Sequence, residues 1–342
     1  MPNDESERRP SVLTSGIPRP HSRLTITAKR SISLKHSLGC FVLLLTVVIV
    51  GGCGGSGTSQ PAPSPTTPSV PQVGHVVLLL EENHSYSTVI GNPAMPFFNS
   101  LATKGGLATN YFANSHPSIG NYFMLTTGQM ITQDDSFTAT VDADNIVREI
   151  LASGKTWKCY AESLPSVGYT GGDVFPYLEH HNPFSYFSDV RNSSVQLNNL
   201  VPFTQLTTDL ANNQLPNFSF IVPNAEHSAH DCPDGGSSCT DTDRLTAADV
   251  WLQTNIQPLL SSTTFQQDGV LVIVYDESND SDAQNGGGHV AMVIVSSKAK
   301  SAFQSTTLYQ HQSTSRLVFE ALGLSPRPGA AANAADMLEF FP

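Results

Sequence analysis

The segment 270–277 limits the possible folds most, because an unbroken apolar run there ends in two carboxylates, Asp276 and Glu277. A run this short and this rich in β-branched residues is typical of a fully buried strand in a parallel sheet. Burying two carboxylates in an apolar layer is costly, so we expect both where the strand leaves the sheet. In open α/β sheets, ligands bind at that carboxyl-end edge.

A second segment repeats this pattern near the start of the predicted folded part. The apolar run 75–80 ends in Glu81, Glu82, Asn83 and His84. If both strands lie parallel in one sheet, two groups of oxygen ligands meet at one edge. The two segments together predict a metal site there.

Predicted strands and helices alternate along the rest of the chain. This alternation predicts an α/β fold, a three-layer αβα sandwich with a mostly parallel central sheet. The predicted strands are 75–80, 107–112, 156–162, 216–224, 270–275 and 290–296. The predicted helices are 96–104, one that ends at Thr127, 144–152, 203–211, 245–260 and 312–322.

The first 52 residues have the pattern of a lipoprotein-type signal peptide. Seven Lys and Arg residues precede the apolar run 41–50, which is too short for a comfortable membrane span. The sequence Val-Gly-Gly-Cys at its end resembles a bacterial lipoprotein cleavage box, which predicts lipidation of Cys53. The alternatives are an ordinary signal peptide with an incidental cysteine, or an uncleaved anchor. We expect residues 53–73, which are rich in Gly, Ser and Pro, to form a flexible tether. We expect residues 74–342 to form one large catalytic domain.

Charge and cysteine usage indicate where the protein works. The formal net charge is −12 although the leader is basic, so the folded part is more acidic still. Such a body argues against nucleic acid or an anionic membrane surface as the main partner. We expect an extracytoplasmic monomer, in the periplasm or at the cell surface, held to the membrane through a lipid anchor. That compartment permits Cys232 and Cys239 to form a disulfide and leaves Cys159 as a buried thiol, although pairing with Cys159 stays open.

Ser118 lies between a predicted strand and a predicted helix, in the sequence His-Pro-Ser-Ile-Gly-Asn-Tyr. A strand, a tight turn and a helix present the hydroxyl at a helix N-terminus, where backbone N–H groups and the macrodipole favour an anion. Ser118 is therefore a candidate nucleophile. The competing interpretation is an ordinary N-cap serine, which the spacing alone favours.

Polar residues follow every clearly predicted strand, at a density that points to a site rather than to a structural edge. Carboxylates with an amide and a hydroxyl suit Ca²⁺, Mg²⁺ or Mn²⁺, and histidine adds Zn²⁺ or Fe. A bound metal would lower the pKa of the Ser118 hydroxyl, which could attack phosphorus and form a phosphoserine. A histidine opposite would protonate the leaving alkoxide. The residues at the strand ends are Glu82, Asn83, His116, Ser118, Glu162, His227, His230, Asp231, Asp276 and Glu277.

Six short motifs occur in an order that resembles a known family. They begin at Glu82, His116, His181, Pro223, Tyr275 and His311, the fourth continuing to His230 and Asp231. In this order they resemble the bacterial acid phosphatase and phospholipase C phosphoesterase family, within the alkaline phosphatase superfamily. The resemblance covers about 74–325 and implies an alkaline phosphatase-like fold.

The resemblance also implies a role for each matching residue. One divalent metal would be held by Glu82, Asn83, Asp276 and Glu277, with Ser118 as a nucleophile that also touches the metal. His230 would contact the phosphoryl group, and His289 is a candidate for a second such contact. His116 and Asn121 would position phosphate oxygens, and His181 would lie on the substrate side. Taken singly, each of the histidines 84, 180, 181, 289 and 311 is better explained as a surface or ordinary hydrogen-bonding histidine.

The predicted function is an exported, metal-dependent phosphomonoesterase of the small acid-phosphatase type, acting through phosphoserine on a phosphate ester. A phospholipase C-type phosphodiesterase on the same residues is the alternative. A non-catalytic anchored binding protein or a sulfatase-type hydrolase fits less well, although fold alone does not determine chemistry. Gly120 and Gln310 stand where the family usually has Pro and Asp. These departures weaken the substrate assignment more than the reaction type.

Overall fold

The computed structural model describes residues 69–342, and the predicted signal peptide, Cys53 and the tether up to residue 68 lie outside this range. Within the described range, no helix is both long and apolar enough to cross a membrane. The strands are β1 His75–Glu81, β2 Gly106–Ala108, β3 Tyr111–Phe112, β4 Trp157–Ala161, β5 Leu200–Pro202, β6 Phe218–Val222, β7 Gly269–Tyr275, β8 Met292–Val295, β9 Phe303–Ser305 and β10 Tyr309–Gln310. The helices are α1 Tyr86–Val89, α2 Pro96–Lys104, α3 Ile119–Thr127, α4 Ile146–Ala152, α5 Ser188–Arg191, α6 Ser194–Leu197, α7 Gln205–Ala211, α8 Asp241–Ser261, α9 Thr263–Asp268 and α10 His311–Leu322.

Eight strands form one sheet in the order β5-β4-β6-β1-β7-β8-β2-β9. Every neighbouring pair from β5 to β7 is parallel, whereas β8 runs antiparallel to both β7 and β2. The sheet is therefore mostly parallel, as predicted. The carboxyl ends of β4, β6, β1 and β7 consequently lie side by side at one edge.

The centre of the sheet is the pairing of β1 with β7. Their register runs from His75 opposite Gly269 to Glu81 opposite Tyr275, and all seven residues of β7 are buried. Aliphatic side chains on both faces of β7 bury apolar area, which stabilises a strand at roughly 25 cal/mol per Å². Because the two strands end at the same level, the carboxylates that follow them emerge together.

Helices cover both faces of the sheet, which confirms the predicted three-layer sandwich. Helices α3 and α10 pack against each other, and α10 also contacts β1. Helices α2 and α8 pack together, and α2 also contacts β2 and β8. Helix α8 begins at a capping box in which Thr240 and Asp243 bond to each other's backbone N–H, and such caps stabilise a helix start. The site described below lies on the α3 side of the sheet.

Several details differ from the sequence predictions, and four of them bear on the site or the domain boundary. The predicted strand 107–112 is two strands, and β3 pairs with β10 in a separate two-stranded sheet. β5 was not predicted, because three residues are too few to show a hydrophobic period. β8 belongs to the predicted strand 290–296 but is antiparallel, which periodicity does not reveal. Val70 and Val73, which lie in the segment predicted as a tether, are buried, and Val73 N donates to Ala321 O at 2.8 Å.

Candidate active site

Ser118 stands at the N-terminal end of α3, but its side chain does not cap the helix. The free backbone N–H of Ile119 donates instead to Asp135 Oδ1 at 3.1 Å. The capping interpretation of Ser118 is therefore wrong, and its hydroxyl is free to make other contacts.

The Ser118 hydroxyl lies between two carboxylates. Its Oγ is 3.4 Å from Glu82 Oε2 and 3.2 Å from Glu277 Oε1. Only 3% of Ser118 is exposed, so these contacts form in a largely water-free setting. A single hydroxyl hydrogen can satisfy only one of the two carboxylates at a time. The loop before α3 thus brings a hydroxyl to the point where β1 and β7 both end.

The side chain of Asp276 links the ends of β1 and β7. Asp276 Oδ1 accepts from the backbone N–H of Asn83 at 3.2 Å and from that of Glu277 at 2.6 Å. Asn83 has φ +50°, a left-handed conformation that asparagine tolerates better than most residues. This turn leads the chain out of β1 and leaves the side chain of Asn83 beside the carboxylates.

Burial raises the pKa of all three carboxyls in this cluster. For Glu82 the pKa is well above its ordinary value because of desolvation and, next, the charge of Asp276. For Asp276 desolvation and the charge of Glu277 raise the pKa to about 7. For Glu277 desolvation also raises the pKa, although the hydrogen bond from His116 opposes it. Three carboxyls this close together are stable only if protons or a bound cation offset their negative charge.

The donors present fit an oxygen-liganded divalent cation in type. Asn83 Oδ1 and Asp276 Oδ2 are buried and make no hydrogen bond, and both are hard oxygen donors. Among residues 69–342, no group of three or more His, Cys, Asp or Glu side chains is arranged to hold a metal ion. An ion here would therefore need the amide of Asn83 and the hydroxyl of Ser118 as well as the carboxylates.

His116 forms an ion pair with the cluster. Its Nδ1 lies 3.0 Å from Glu277 Oε2, and its Nε2 donates to the carbonyl oxygen of Asp282 at 3.0 Å. The contact with Glu277 raises the pKa of His116 to about 9. His116 is therefore an imidazolium at neutral pH and partly neutralises the acids.

His181 and Tyr122 cover the opposite side of Glu82. The Tyr122 hydroxyl donates to Glu82 Oε1, and His181 Nδ1 is 3.4 Å from the same oxygen. The two rings stack with centroids 5.2 Å apart. His181 Nε2 is buried without a hydrogen-bond partner, and burial lowers the pKa of this histidine well below its ordinary value. The His230 ring lies 5.5 Å from that of His181. The residues predicted to touch substrate, His181 and His230, are thus together.

Two predicted site residues make other contacts. Asn121 Oδ1 accepts from the backbone N–H groups of Asn114 and Ser115, and its Nδ2 donates to Ser115 O at 2.8 Å. His289 is stacked between Tyr86 and Phe112, with Nε2 3.1 Å from Thr109 O. Asn121 holds the loop before Ser118, and His289 packs in an aromatic layer beside it.

Sequence reasoning assigned no role to Tyr122 and only an ordinary hydrogen-bonding role to His311. Tyr122 follows Ser118 by four residues, and this spacing places both on one face of α3. His311 Nε2 donates to Asp276 O at 2.6 Å and its Nδ1 accepts from the Tyr111 hydroxyl at 3.0 Å, which secures the end of β7. Burial lowers the pKa of His311 to about 4, so it is neutral. The i,i+4 spacing could have identified Tyr122, whereas nothing local indicates the contact of His311.

The remaining strand-end residues form a separate arrangement. Glu162 accepts from Trp251 Nε1 at 2.9 Å and lies 3.0 Å from His227 Nδ1.

Cys232 and Cys239 are joined in a disulfide, and Cys159 is a free, buried thiol. The disulfide closes the loop between His230 and α8.

Comparison with known proteins gives consistent results. The Phosphoesterase family model matches residues 92–325. A phosphatidylinositol-3-phosphatase of Mycobacterium tuberculosis is 29% identical over 80% of this chain and 84% of its own. An acid phosphatase of Aspergillus fumigatus is 29% identical over 75% of this chain, but the match spans only 56% of that protein. The fold is similar to that of an alkaline phosphatase superfamily protein from Vibrio parahaemolyticus, with TM-score 0.55 and 14% identity over 81% of this chain and 76% of that one.

Proposed function

Because the chain belongs to the phosphoesterase family and is a hydrolase of phosphoric ester bonds, we propose that it is a metal-dependent phosphomonoesterase acting through phosphoserine at Ser118. The observation that carries this proposal is the position of Ser118 Oγ between Glu82 and Glu277. A serine whose only task is structural would bond to the N-terminus of its helix, and this one does not.

In the first step, Ser118 Oγ attacks phosphorus and the ester P–O bond breaks. The hydroxyl proton passes to Glu277 Oε1, 3.2 Å away. His230 gives a proton to the departing alkoxide. The products of this step are an alcohol and a phosphoserine.

In the second step, water attacks the phosphoserine. His230 accepts a proton from that water, and the bond between Ser118 Oγ and phosphorus breaks. Ser118 recovers its proton from Glu277, and inorganic phosphate leaves. The charged His116 holds Glu277 in place through both steps because its Nδ1 lies 3.0 Å from Glu277 Oε2.

The metal would be held by Glu82, Asn83, Asp276 and Glu277. When bound, it would neutralise charge on the phosphoryl oxygens and lower the pKa of the Ser118 hydroxyl. The buried, unpartnered oxygens of Asn83 and Asp276 support this assignment. Metal analysis of the purified protein would distinguish Ca, Mg, Mn, Zn and Fe.

Replacing the nucleophile tests the mechanism. We expect Ser118→Ala to lower kcat for p-nitrophenyl phosphate by more than about 1,000-fold, since Ser118 supplies the hydroxyl that forms the covalent intermediate. Acid quenching of the wild-type enzyme during turnover, followed by peptide mass spectrometry, should find phosphate on Ser118. The matched control is Ser219→Ala, which removes another buried hydroxyl, in β6. Full activity in a folded Ser118→Ala protein would rule the mechanism out.

A phosphodiesterase would use the same residues, so substrates must decide between the two. The name of the Mycobacterium relative, a phosphatidylinositol-3-phosphatase, supports a monoester. Release of diacylglycerol from phosphatidylcholine faster than phosphate from monoesters would favour the phospholipase C alternative. We also propose that the protein is exported, anchored at Cys53 and monomeric, for which the support is the leader sequence and the acidic body.

A further inference from the structure

A small polar cavity borders the candidate active site. It has a volume of about 240 Å³, and its lining includes Asn83 and His230. These two residues also belong to the proposed metal and phosphoryl sites. A group bonded to phosphorus at Ser118 would therefore extend into this cavity, which makes it the place for the leaving group.

The size of the cavity limits what can enter. It lies below the range of about 300–1,000 Å³ that is usual for pockets of drug-sized ligands. Its lining, which includes Thr88, Asn279 and several charged groups, is polar except for Ala229. An acyl chain or an aryl ring would leave these polar groups without partners, and such desolvation is unfavourable.

Arg244, in the first turns of α8, provides donors to the cavity. Its Nη1 donates to Asp241 Oδ1 at 2.9 Å, whereas its Nε is buried and has no hydrogen-bond partner. A guanidinium holds its N–H donors in a fixed planar arrangement. In Arg244 the Nη1 group is bonded to Asp241, and other N–H groups make no hydrogen bond with the described residues. The guanidinium is partly exposed, so its outer N–H groups can donate to an oxygen of a ligand in the cavity.

His84 and two carboxylates provide acceptors on the other side. His84 Nδ1 must donate to the carbonyl oxygen of Glu82, 2.9 Å away, so Nε2 carries the lone pair. The exposed acids Asp241 and Asp280 also line the cavity. They make it unfavourable for a second phosphate or carboxylate, since like charges repel.

The small cavity is therefore lined by both hydrogen-bond donors and acceptors, and its carboxylates repel anions. A hydroxyl group both donates and accepts, so adjacent hydroxyls of one molecule match this pattern. We propose that this cavity binds an uncharged polyhydroxylated leaving group, such as the sugar of a sugar monophosphate, and that Arg244 determines the preference for it. This inference rests on the proposed phosphomonoesterase activity.

Substrate comparison with one variant tests the inference. The substrates are glucose 6-phosphate, n-hexyl phosphate, p-nitrophenyl phosphate and fructose 1,6-bisphosphate. We expect the wild-type protein to show a higher kcat/KM for glucose 6-phosphate than for n-hexyl phosphate or the bisphosphate. Arg244→Gln should lower the ratio of kcat/KM for glucose 6-phosphate to that for p-nitrophenyl phosphate by about ten-fold, because hydrogen bonds to the hydroxyls are lost.

Two further variants control for folding and charge. Arg327→Gln removes an ion pair with Glu320 away from this cavity and should leave all ratios unchanged. Asp241→Asn reduces the repulsion, since Asp280 remains, and should raise kcat/KM for the bisphosphate relative to glucose 6-phosphate. The inference is overturned if Arg244→Gln changes all substrates equally or none, or if n-hexyl phosphate is the better wild-type substrate. Absence of any wild-type phosphatase activity would refute the proposed function instead.

Discussion

Glu81 and Glu82 are adjacent in the chain and both are completely buried, yet their surroundings are opposite. Glu82 points to the α3 side, where Ser118, Tyr122 and His181 all contact its carboxylate. Glu81 points to the other face, because successive side chains of a strand alternate. Within the described residues, neither of its oxygens has a hydrogen-bond partner.

The difference shows that burial alone does not make a carboxylate functional. Desolvation raises the pKa of both glutamates well above the ordinary value. The acids Asp249 and Glu162 raise that of Glu81 further, so this side chain is best accommodated as a neutral acid. Glu82 instead accepts hydrogen bonds from Ser118 and Tyr122, and the unpartnered oxygens of Asn83 and Asp276 lie beside it. Such a group of oxygens could bind a cation. We therefore expect chemistry at Glu82 and none at Glu81.

The strongest test replaces each glutamate by glutamine. Glu82→Gln should lower kcat/KM for p-nitrophenyl phosphate by more than about 100-fold, since loss of a proposed metal ligand exceeds the usual effect of groups around a metal site. Glu81→Gln should change it less than about three-fold, because glutamine has the shape of the neutral acid already present. Circular dichroism would show that both variants are folded. Equal losses in the two variants would remove the distinction between the faces.

Metal removal should affect the thermal stability of the Glu81→Gln and Glu82→Gln variants differently. Dialysis against a chelator should inactivate the protein, and the restoring cation should raise the melting temperature. A ligand at 100 times its dissociation constant stabilises by about 2.7 kcal/mol. We expect this stabilisation to persist in Glu81→Gln and to be largely lost in Glu82→Gln, as measured by thermal denaturation with and without the ion. A chelator that leaves activity intact would argue against metal dependence.

The smallest effect should appear in the pH dependence of stability. The pKa of Glu81 is raised in the folded state, so its contribution is complete below the unfolded pKa, near 4.5. As pH rises above that value the unfolded chain releases the proton first, and the free energy of unfolding falls until Glu81 itself ionises. Denaturant titrations at pH 5 and pH 8, all in chelator, should therefore show a smaller decrease for Glu81→Gln than for the wild type. An identical decrease would mean that Glu81 is not a neutral buried acid.

The strand ends were predictable from sequence because they depend on local chemistry. An apolar run that ends in Asp276 and Glu277 has few other arrangements, and the same holds for the run before Glu82. Parallel pairing then brings the ends together, so the cluster follows from two short segments. The mostly parallel sheet and its helical layers follow from the same alternation.

Side-chain directions and long-range contacts were not predictable. Whether Ser118 Oγ caps α3 or faces Glu82 depends on Asp135, which supplies the other acceptor for the helix. The stacking of His289 between Tyr86 and Phe112 brings together segments far apart in the chain. The burial of Val70 likewise depends on the packing of the whole domain. Composition and periodicity contain no information on these contacts.

The antiparallel direction of β8 has a consequence for engineering the enzyme. β7 and β8 are neighbours in register, with Val274 opposite Met292, so the chain between them leaves and re-enters the sheet at one place. Only Asp276 and Glu277, at the start of this excursion, belong to the proposed metal site. The residues after them form an insert between β7 and β8, and both of its ends are held by the pairing of these two strands. The insert includes Asp280, which lines the leaving-group cavity. A designer could change the charge of this insert around Asp280 and so change the substrate, provided that Asp282 is kept, because its carbonyl oxygen binds His116.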